Sequence, residues 1–221
     1  MLLSYDPIYQ MNQSITTWAN SLCRSSKYGL PMESKTNWYT GLSDVEILAR
    51  LIYAENASNQ IDQIAITWVL LNRYHNANYP NTFRGVATQK SQFSTISGTG
   101  SSLARNPGSY PTTWYHATWL ACALLSTNNK SNCQELFGKP QGIAGQHYFR
   151  GISSFVNNIA NSTSGANCIL FGTKKSRLKN VVIVNKDNIN KSLVVNATRI
   201  KQIKDIKAKY GNQYNVFFSY E

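Results

Sequence analysis

Residues 43–74 carry two successive helical patterns of apolar residues, which constrain the fold more than any other part of the chain. Ser43 and Glu46 have the spacing of a capping box, in which Ser43 caps a helix and the Glu46 side chain reaches back to the helix start. Apolar positions 48, 51 and 52 then share one face of that helix. A second helix is predicted from about 62 to 74. The region should therefore form a helical core.

Glu55 breaks the apolar character of the first predicted helix. It follows Leu48 by seven residues, about two turns, and so lies on the same face. It also lies near the C-terminal end of the helix, where the helix dipole disfavours negative charge. Desolvation and the dipole both raise the pKa of a carboxyl, and a Glu that stays protonated near neutral pH suits a general acid. Spacing alone leaves open that the side chain escapes to solvent at a frayed helix end.

Acidic residues are scarce, which shortens the search for a catalytic acid. The chain of 221 residues contains only 10 Asp+Glu. Asp44 and Asp62 favour the positive ends of helices, and Glu46 is predicted to cap. Glu135 falls in a predicted loop without an evident role. Glu55 is therefore the leading candidate for acid chemistry.

The rest of the chain predicts an α+β protein that is mainly α. A lead-in is expected over 1–41, with a weak helix at Ile15–Leu22. The two helices above follow, and residues 76–109 are expected to form loops with a small β element. The remaining predictions are a third helix from Thr112 or Thr113, a break at 128–132, a loop over 138–149, strands at 181–184 and 216–218, and a basic helix at 197–210. The predicted domains are 1–41 as lead-in, 42–150 as catalytic domain and 151–221 as a basic C-terminal extension of uncertain role.

Charge favours an anionic partner. The chain holds 22 Lys+Arg, giving a formal charge of +12. Residues 171–221 hold 11 of these bases and 3 acids, a net charge of +8. Such a balance suits nucleic acid or an envelope rich in carboxylate and phosphate. The lysines at 201, 204, 207 and 209 lack aromatic interleaving of the RNA-binding type, so nucleic acid is not expected. An anionic bacterial envelope stays the partner indicated by the charge of 171–221. No stretch is long and apolar enough for a membrane span.

The cysteines do not predict a metal site. They occur at 23, 122, 133 and 168, and none has metal-ligand spacing to another Cys or to a His. We expect neither a metal nor an organic cofactor. A bridge between Cys122 and Cys133 stays open if the protein works outside a cell. A peptidase using Cys122 or Cys168 with His147 is a further alternative.

Four polar residues in loops are candidates for binding a polar ligand. They are Gln92 and Ser94 in one loop and His147 and Tyr148 in another. Asn72 lies on the apolar face of the second predicted helix. A buried Asn commonly ties a helix to a loop by hydrogen bonds, so we assign Asn72 a structural role near the site.

Four motifs between 48 and 94 occur in one order: LARLIYAE at 48–55, QIAITWVLLNR at 63–73, YPNTFRGV at 79–86 and QFS at 92–94. In order and spacing they resemble the SleB/CwlJ cell wall hydrolase family, which comprises spore cortex-lytic enzymes and their phage and bacterial relatives. The resemblance covers about 42–98 well and 112–150 more loosely. It implies a lysozyme-like fold, peptidoglycan as substrate, cleavage of the glycan strand, and Glu55 as the catalytic acid.

The scarcity of acids also bears on the reaction type. Two-carboxylate glycosidases place the carboxyl groups about 5–5.5 Å apart for retention and about 6.5–9.5 Å for inversion. Glu46 is more than two turns from Glu55, Asp62 starts the next helix, and the turn at 56–60 contains no acid. This favours a one-carboxylate lytic transglycosylase that leaves 1,6-anhydro ends on N-acetylmuramic acid (MurNAc), with a hydrolytic muramidase as the alternative.

The sequence also leaves two non-enzymatic functions open as alternatives. A wall-binding or phage structural protein of lysozyme-like shape would need no working acid, and a nucleic-acid binder would rest on charge alone. The opening MLLSYDPIYQ has no charged n-region and no apolar h-region, so no Sec signal peptide is expected. We therefore expect an enzyme that acts on the bacterial wall and is phage-encoded, an endolysin, or is otherwise delivered by a holin, a tail or lysis.

Overall fold

A computed structural model describes residue 17 and residues 29–157, 169–171, 174–176, 178–195 and 200–220. The chain divides into two compact units, Met1–Gly138 and Lys139–Glu221. This division comes earlier in the chain than the boundary between 150 and 151 predicted from the sequence. The predicted helix Ile15–Leu22 lies, apart from residue 17, outside the described residues.

The described part of the first unit is helical. Its helices are α1 (Asp44–Glu55), α2 (Gln60–Tyr74), α3 (Phe83–Thr88), α4 (Ser102–Arg105), α5 (Pro111–Ser126) and α6 (Lys130–Phe137), with a 3-10 turn at Pro107–Ser109. The most extensive packing joins α1 to α5, and α2 also packs against α5. The predicted apolar face of α1 is buried, because positions 48, 51 and 52 have no exposed surface. Positions 117, 120, 121 and 124 of α5 also have none.

The start of α1 confirms one half of the predicted capping box. The Ser43 hydroxyl accepts a hydrogen bond from the Glu46 amide at 3.2 Å. The other half is wrong, because the Glu46 carboxylate is directed to Arg50 one turn later, at 2.7 Å. The physical reason is burial. The Arg50 side chain has no exposed surface, and a buried guanidinium needs a carboxylate partner.

Two predictions for irregular segments are wrong. Residues 76–109, predicted as loops with a small β element, contain the helix α3, capped by Thr82, whose hydroxyl accepts from the amide of Gly85 at 3.0 Å. Glu135 lies on α6 rather than in a loop. The polar run at 128–132 does end α5, but Asn129 within it caps α6 by accepting from two backbone amides. The same residues that break one helix therefore start the next.

The second unit contains a four-stranded antiparallel sheet in the order β1-β6-β4-β5. Its elements are β1 (Tyr148–Gly151), α7 (Ile152–Phe155), β2 (Ile169–Phe171), β3 (Lys174–Ser176), β4 (Leu178–Val184), β5 (Ser192–Val195), α8 (Ile200–Tyr210) and β6 (Asn215–Tyr220). The strands predicted at 181–184 and 216–218 are confirmed as parts of β4 and β6, and the basic helix as α8. Tyr148, predicted in a loop, lies instead in β1 opposite Phe218.

The α+β, mainly α class is confirmed. In the described part of the chain, no helix is long and apolar enough to cross a bilayer.

Neither Cys122 nor Cys133 is in a disulfide, so the bridge that the sequence left open does not form. The Cys133 thiol donates to the carbonyl of Thr127, and burial raises its pKa to about 11. Cys23 and Cys168 lie outside the described residues.

Candidate functional site

Glu55 is the last residue of α1, and its side chain is partly buried. The preceding residues on its face, Leu48, Leu51 and Ile52, are completely buried in the helical core. The helix thus carries the carboxyl group from an apolar interior to the edge of the core. Helical spacing predicted the face of the helix on which Glu55 lies and left open whether its side chain escapes to solvent.

Thr95 holds one oxygen of the Glu55 carboxyl. The Thr95 hydroxyl donates to Oε1 at 2.5 Å. This contact engages Oε1, and Oε2 takes no part in the Thr95 hydrogen bond. Sequence reasoning missed Thr95. The available signal was its position directly after the QFS motif.

The surroundings of Glu55 raise its pKa. Burial is the largest cause, and the Thr95 hydrogen bond and the positive charge of Arg73 act in the opposite direction. Arg73, in the last turn of α2, is itself buried and lies over the rings of Phe93 and Tyr79 at 4.6 and 5.2 Å. The result is an acid whose protonated form persists to higher pH than that of an ordinary Glu.

Comparison with known families identifies the segment that follows Glu55. Residues 57–149 match the family model described as Cell Wall Hydrolase. Over this segment the chain is similar to the cell wall hydrolase family. The resemblance is thereby confirmed for the part of the chain that contains the last three of the four motifs, and it supports peptidoglycan as the substrate. No curated protein and no solved structure matched the chain, so a lysozyme-like fold stays a prediction.

The boundaries of the match bear on the site. Glu55 precedes the first matched residue by two positions, whereas Arg73 and Thr95 lie inside the match. The cell wall hydrolase segment therefore supplies the groups that act on the carboxyl, and the helix before it supplies the carboxyl. Glu55 as the catalytic acid stays a prediction that its environment supports.

Three of the predicted site residues lie in the same unit as Glu55. Gln92 is partly exposed and Ser94 is exposed, and both are in the loop that contributes Thr95. They are thus adjacent in sequence to the group that contacts the acid and are open to a ligand. Asn72 is 2% exposed on α2, next to Arg73. Its burial is consistent with the predicted structural role.

His147 and Tyr148 belong to the second unit. The backbone amide of His147 donates to the carbonyl of Phe218 at 3.2 Å, and the Tyr148 ring stacks on the Phe218 ring at 5.8 Å between centroids. Both residues are therefore tied to the β1–β6 edge of the sheet. Their role in substrate binding stays a prediction.

The other carboxylates of α1 and α2 are occupied. Asp62 is 1% exposed, and its Oδ2 accepts from Asn56, the residue after Glu55, at 2.8 Å. Asp44 pairs with Arg84 at 2.5 Å, and Glu46 is bound to Arg50. Within the ranges that the structure describes, no cluster of three or more His, Cys, Asp or Glu side chains is arranged to hold a metal ion.

Proposed function

We propose that this chain cleaves the glycan strand of peptidoglycan with Glu55 as its general acid. The observation that carries the proposal is the Glu55 carboxyl itself, at the end of a buried helix face, with a raised pKa and one oxygen held by Thr95. The cell wall hydrolase segment that begins two residues later supports the choice of substrate. A positioned acid with a pKa raised towards neutrality is what protonation of a glycosidic oxygen requires.

The finer proposal is a lytic transglycosylase. A hydrolase of either stereochemistry needs a second carboxylate that faces the sugar. Asp62 is buried and tied to Asn56, which makes it a poor base or nucleophile. Glu33 is well exposed beside Lys35, and Glu135 is exposed on α6. These placements favour a mechanism in which one carboxyl group performs both proton transfers.

In that mechanism the carboxyl proton of Glu55 passes to the glycosidic oxygen as the bond from MurNAc C1 breaks. The neighbouring sugar leaves with a free hydroxyl group. The Glu55 carboxylate then accepts the proton of the C6 hydroxyl of the same MurNAc, while that oxygen bonds to C1. The acid is regenerated, no water is consumed, and the product ends in 1,6-anhydro-MurNAc.

Mass spectrometry of digested peptidoglycan tests this reaction. We expect new glycan ends that are 1,6-anhydro-MurNAc, lighter by one water than reducing MurNAc, because water takes no part in the closure. Digestion in H₂¹⁸O serves as the control, since a transglycosylase incorporates no label. Labelled reducing MurNAc ends without anhydro species would overturn the transglycosylase and establish the muramidase alternative.

We further propose that the second unit binds the anionic polymers of the wall. Residues 139–221 hold 13 Lys+Arg and 3 Asp+Glu, a net charge of +10, against +2 for residues 1–138. Lys204 and Lys209 on α8 are exposed, and neither forms an ion pair among the described side chains. This charge supports the anionic partner predicted for 171–221, because charge can attract a polyanion without a deep cleft.

Sedimentation with purified walls tests this binding. We expect Lys204→Glu/Lys209→Glu to reduce the bound fraction several-fold at low salt, and wild-type binding to fall steeply as salt rises. The matched control is Lys35→Glu/Lys130→Glu, which makes the same change of charge on exposed residues of the first unit. Binding that is insensitive to salt and to the α8 substitutions, or tighter binding to duplex DNA than to walls, would contradict the proposal.

A further inference from the structure

Gln63 lies near the start of α2 and has no exposed surface. Its side-chain Nε2 donates to the backbone carbonyl of Asn56 at 3.0 Å and to that of Thr113, on α5, at 3.2 Å. Its Oε1 lies 2.7 Å from Nδ1 of His116, also on α5. One buried amide thus joins the end of α1 to two neighbouring helices.

The hydrogen-bond chemistry determines the orientation of this amide. Carbonyl oxygens only accept, so the NH₂ group of Gln63 must face the two carbonyls and its oxygen must face His116. The proton on the near side of the imidazole is therefore on Nδ1. Burial lowers the pKa of His116 to about 4, so the ring is neutral at ordinary pH. A flipped amide would set its oxygen against both carbonyls and lose those two hydrogen bonds, which makes the observed orientation strongly preferred.

A second contact acts on the next residue of the same turn. The Thr113 hydroxyl donates to the carbonyl of Ala57 at 2.5 Å. The carbonyls of Asn56 and Ala57, the two residues that directly follow Glu55, are therefore each held by a side chain. We call Gln63, Thr113 and His116 the carbonyl clamp.

We propose that the carbonyl clamp positions the Glu55 carboxyl for proton transfer. Glu55 is the last helical residue of α1, and the Asn56 amide closes that helix with a long hydrogen bond of 3.4 Å to Ile52. The helix end is thus weakly held by its own backbone, and the clamp determines where the chain leaves it. The clamp residues are positioning residues, because they act through the backbone rather than on the sugar. The inference rests on the proposed role of Glu55.

Two variants remove clamp contacts to different degrees. Gln63→Leu removes every hydrogen bond of the side-chain amide. Thr113→Val removes only one hydroxyl group, and this variant should fold because the side chain is partly exposed. Each has a matched control on the same helix. Thr67→Val on α2 and Thr118→Val on α5 each delete a buried hydroxyl whose acceptor is a carbonyl one turn earlier, at 2.8 and 3.0 Å. Neither control touches Asn56 or Ala57.

The first measurement is wall lysis as a function of pH. We expect Thr113→Val to lose about tenfold and Gln63→Leu about 100-fold in rate, since a displacement of about 1 Å costs rates of that order. A looser helix end admits water to Glu55, which lowers its pKa towards the ordinary value, so the alkaline limit of activity should move to lower pH. The controls should retain the wild-type rate and pH profile. Arg73 and Thr95, which also act on the Glu55 carboxyl, are not substituted in any of these variants.

The second measurement does not depend on activity. ¹³C NMR titration of the Glu55 side-chain carboxyl, assigned with Glu55→Gln, should show a lower pKa in both clamp variants than in wild type and controls. Folded clamp variants with the wild-type titration and pH profile would overturn the clamp, whether or not their stability falls. If the titration shifts while Glu55→Gln still lyses walls, the clamp holds the Glu55 carboxyl as inferred, but the proposed function fails and with it the role of the clamp in proton transfer.

Discussion

Glu55→Gln is expected to lose wall-lysing activity by a factor of about 10²–10⁴ while the fold is retained. The amide has the size of the carboxyl, and its oxygen can accept the Thr95 hydroxyl as Oε1 does. It has no acidic proton to give to a glycosidic oxygen. The loss should therefore be one of chemistry rather than of structure. Turbidity of a suspension of purified walls measures the rate, and circular dichroism checks the fold.

Glu135→Gln is the matched control for this loss. Glu135 is exposed on α6, and the same change of charge there should leave the rate unaltered. A Glu55→Gln variant that clears walls at the normal rate would remove Glu55 from the mechanism. If the wild-type protein binds walls without clearing them, the non-catalytic alternative of a wall-binding or phage structural protein replaces the enzyme.

Arg50→Met is expected to destabilise the first unit by about 3–5 kcal/mol. Arg50 has no exposed side-chain surface and donates to Glu46 at 2.7 Å. It also donates to the backbone carbonyls of Leu30, Ala104 and Arg105 at 2.8, 2.8 and 3.1 Å. Its removal leaves a buried carboxylate without its cation and carbonyls without donors, whereas Met retains most of the packing volume. Urea unfolding followed by tryptophan fluorescence gives the free energy of unfolding.

The ion pair of Asp44 and Arg84 provides the comparison. Both side chains of this pair are at least one-third exposed, so Arg84→Met should lower the free energy of unfolding by no more than about 1 kcal/mol. In Glu46→Gln/Arg50→Met the stranded charge is absent, and part of the lost stability should return. Equal costs for the Arg50 and Arg84 variants, or a double variant less stable than Arg50→Met, would show that the Arg50 network does not hold α1 against the segments around Leu30 and Ala104.

Local periodicity is enough to predict that Glu55 lies on the apolar face of α1. Side chains seven residues apart on a helix share a face whatever the helix packs against, so the alternation of apolar positions before Glu55 contains the information. The family could likewise be predicted, because its motifs are short and successive. The groups that act on Glu55 could not be predicted from periodicity. Thr95 contacts it across 40 residues of chain, and no periodicity relates the two positions.

The carbonyl clamp could not be predicted from local sequence patterns either. Gln63 and His116 lie 53 residues apart, on two helices whose faces meet only in the folded unit. In the sequence, Gln63 is one of several polar residues on a helix start, and nothing distinguishes it from a solvent-exposed one. Only packing of α2 and α5 at the end of α1 turns it into a buried amide with complementary partners.

What the sequence determined by itself is the mainly helical first unit, the single acid on its apolar face and the basic character of the chain's end. Each follows from composition or from regular spacing, which act over one helix or strand. The tertiary structure decided that the Glu46 carboxylate pairs with Arg50 instead of capping the helix, that Tyr148 joins a sheet, and that the division between units comes before β1. These depend on partners distant in sequence, since burial decides which polar group must be paired and strand pairing decides which unit a segment joins.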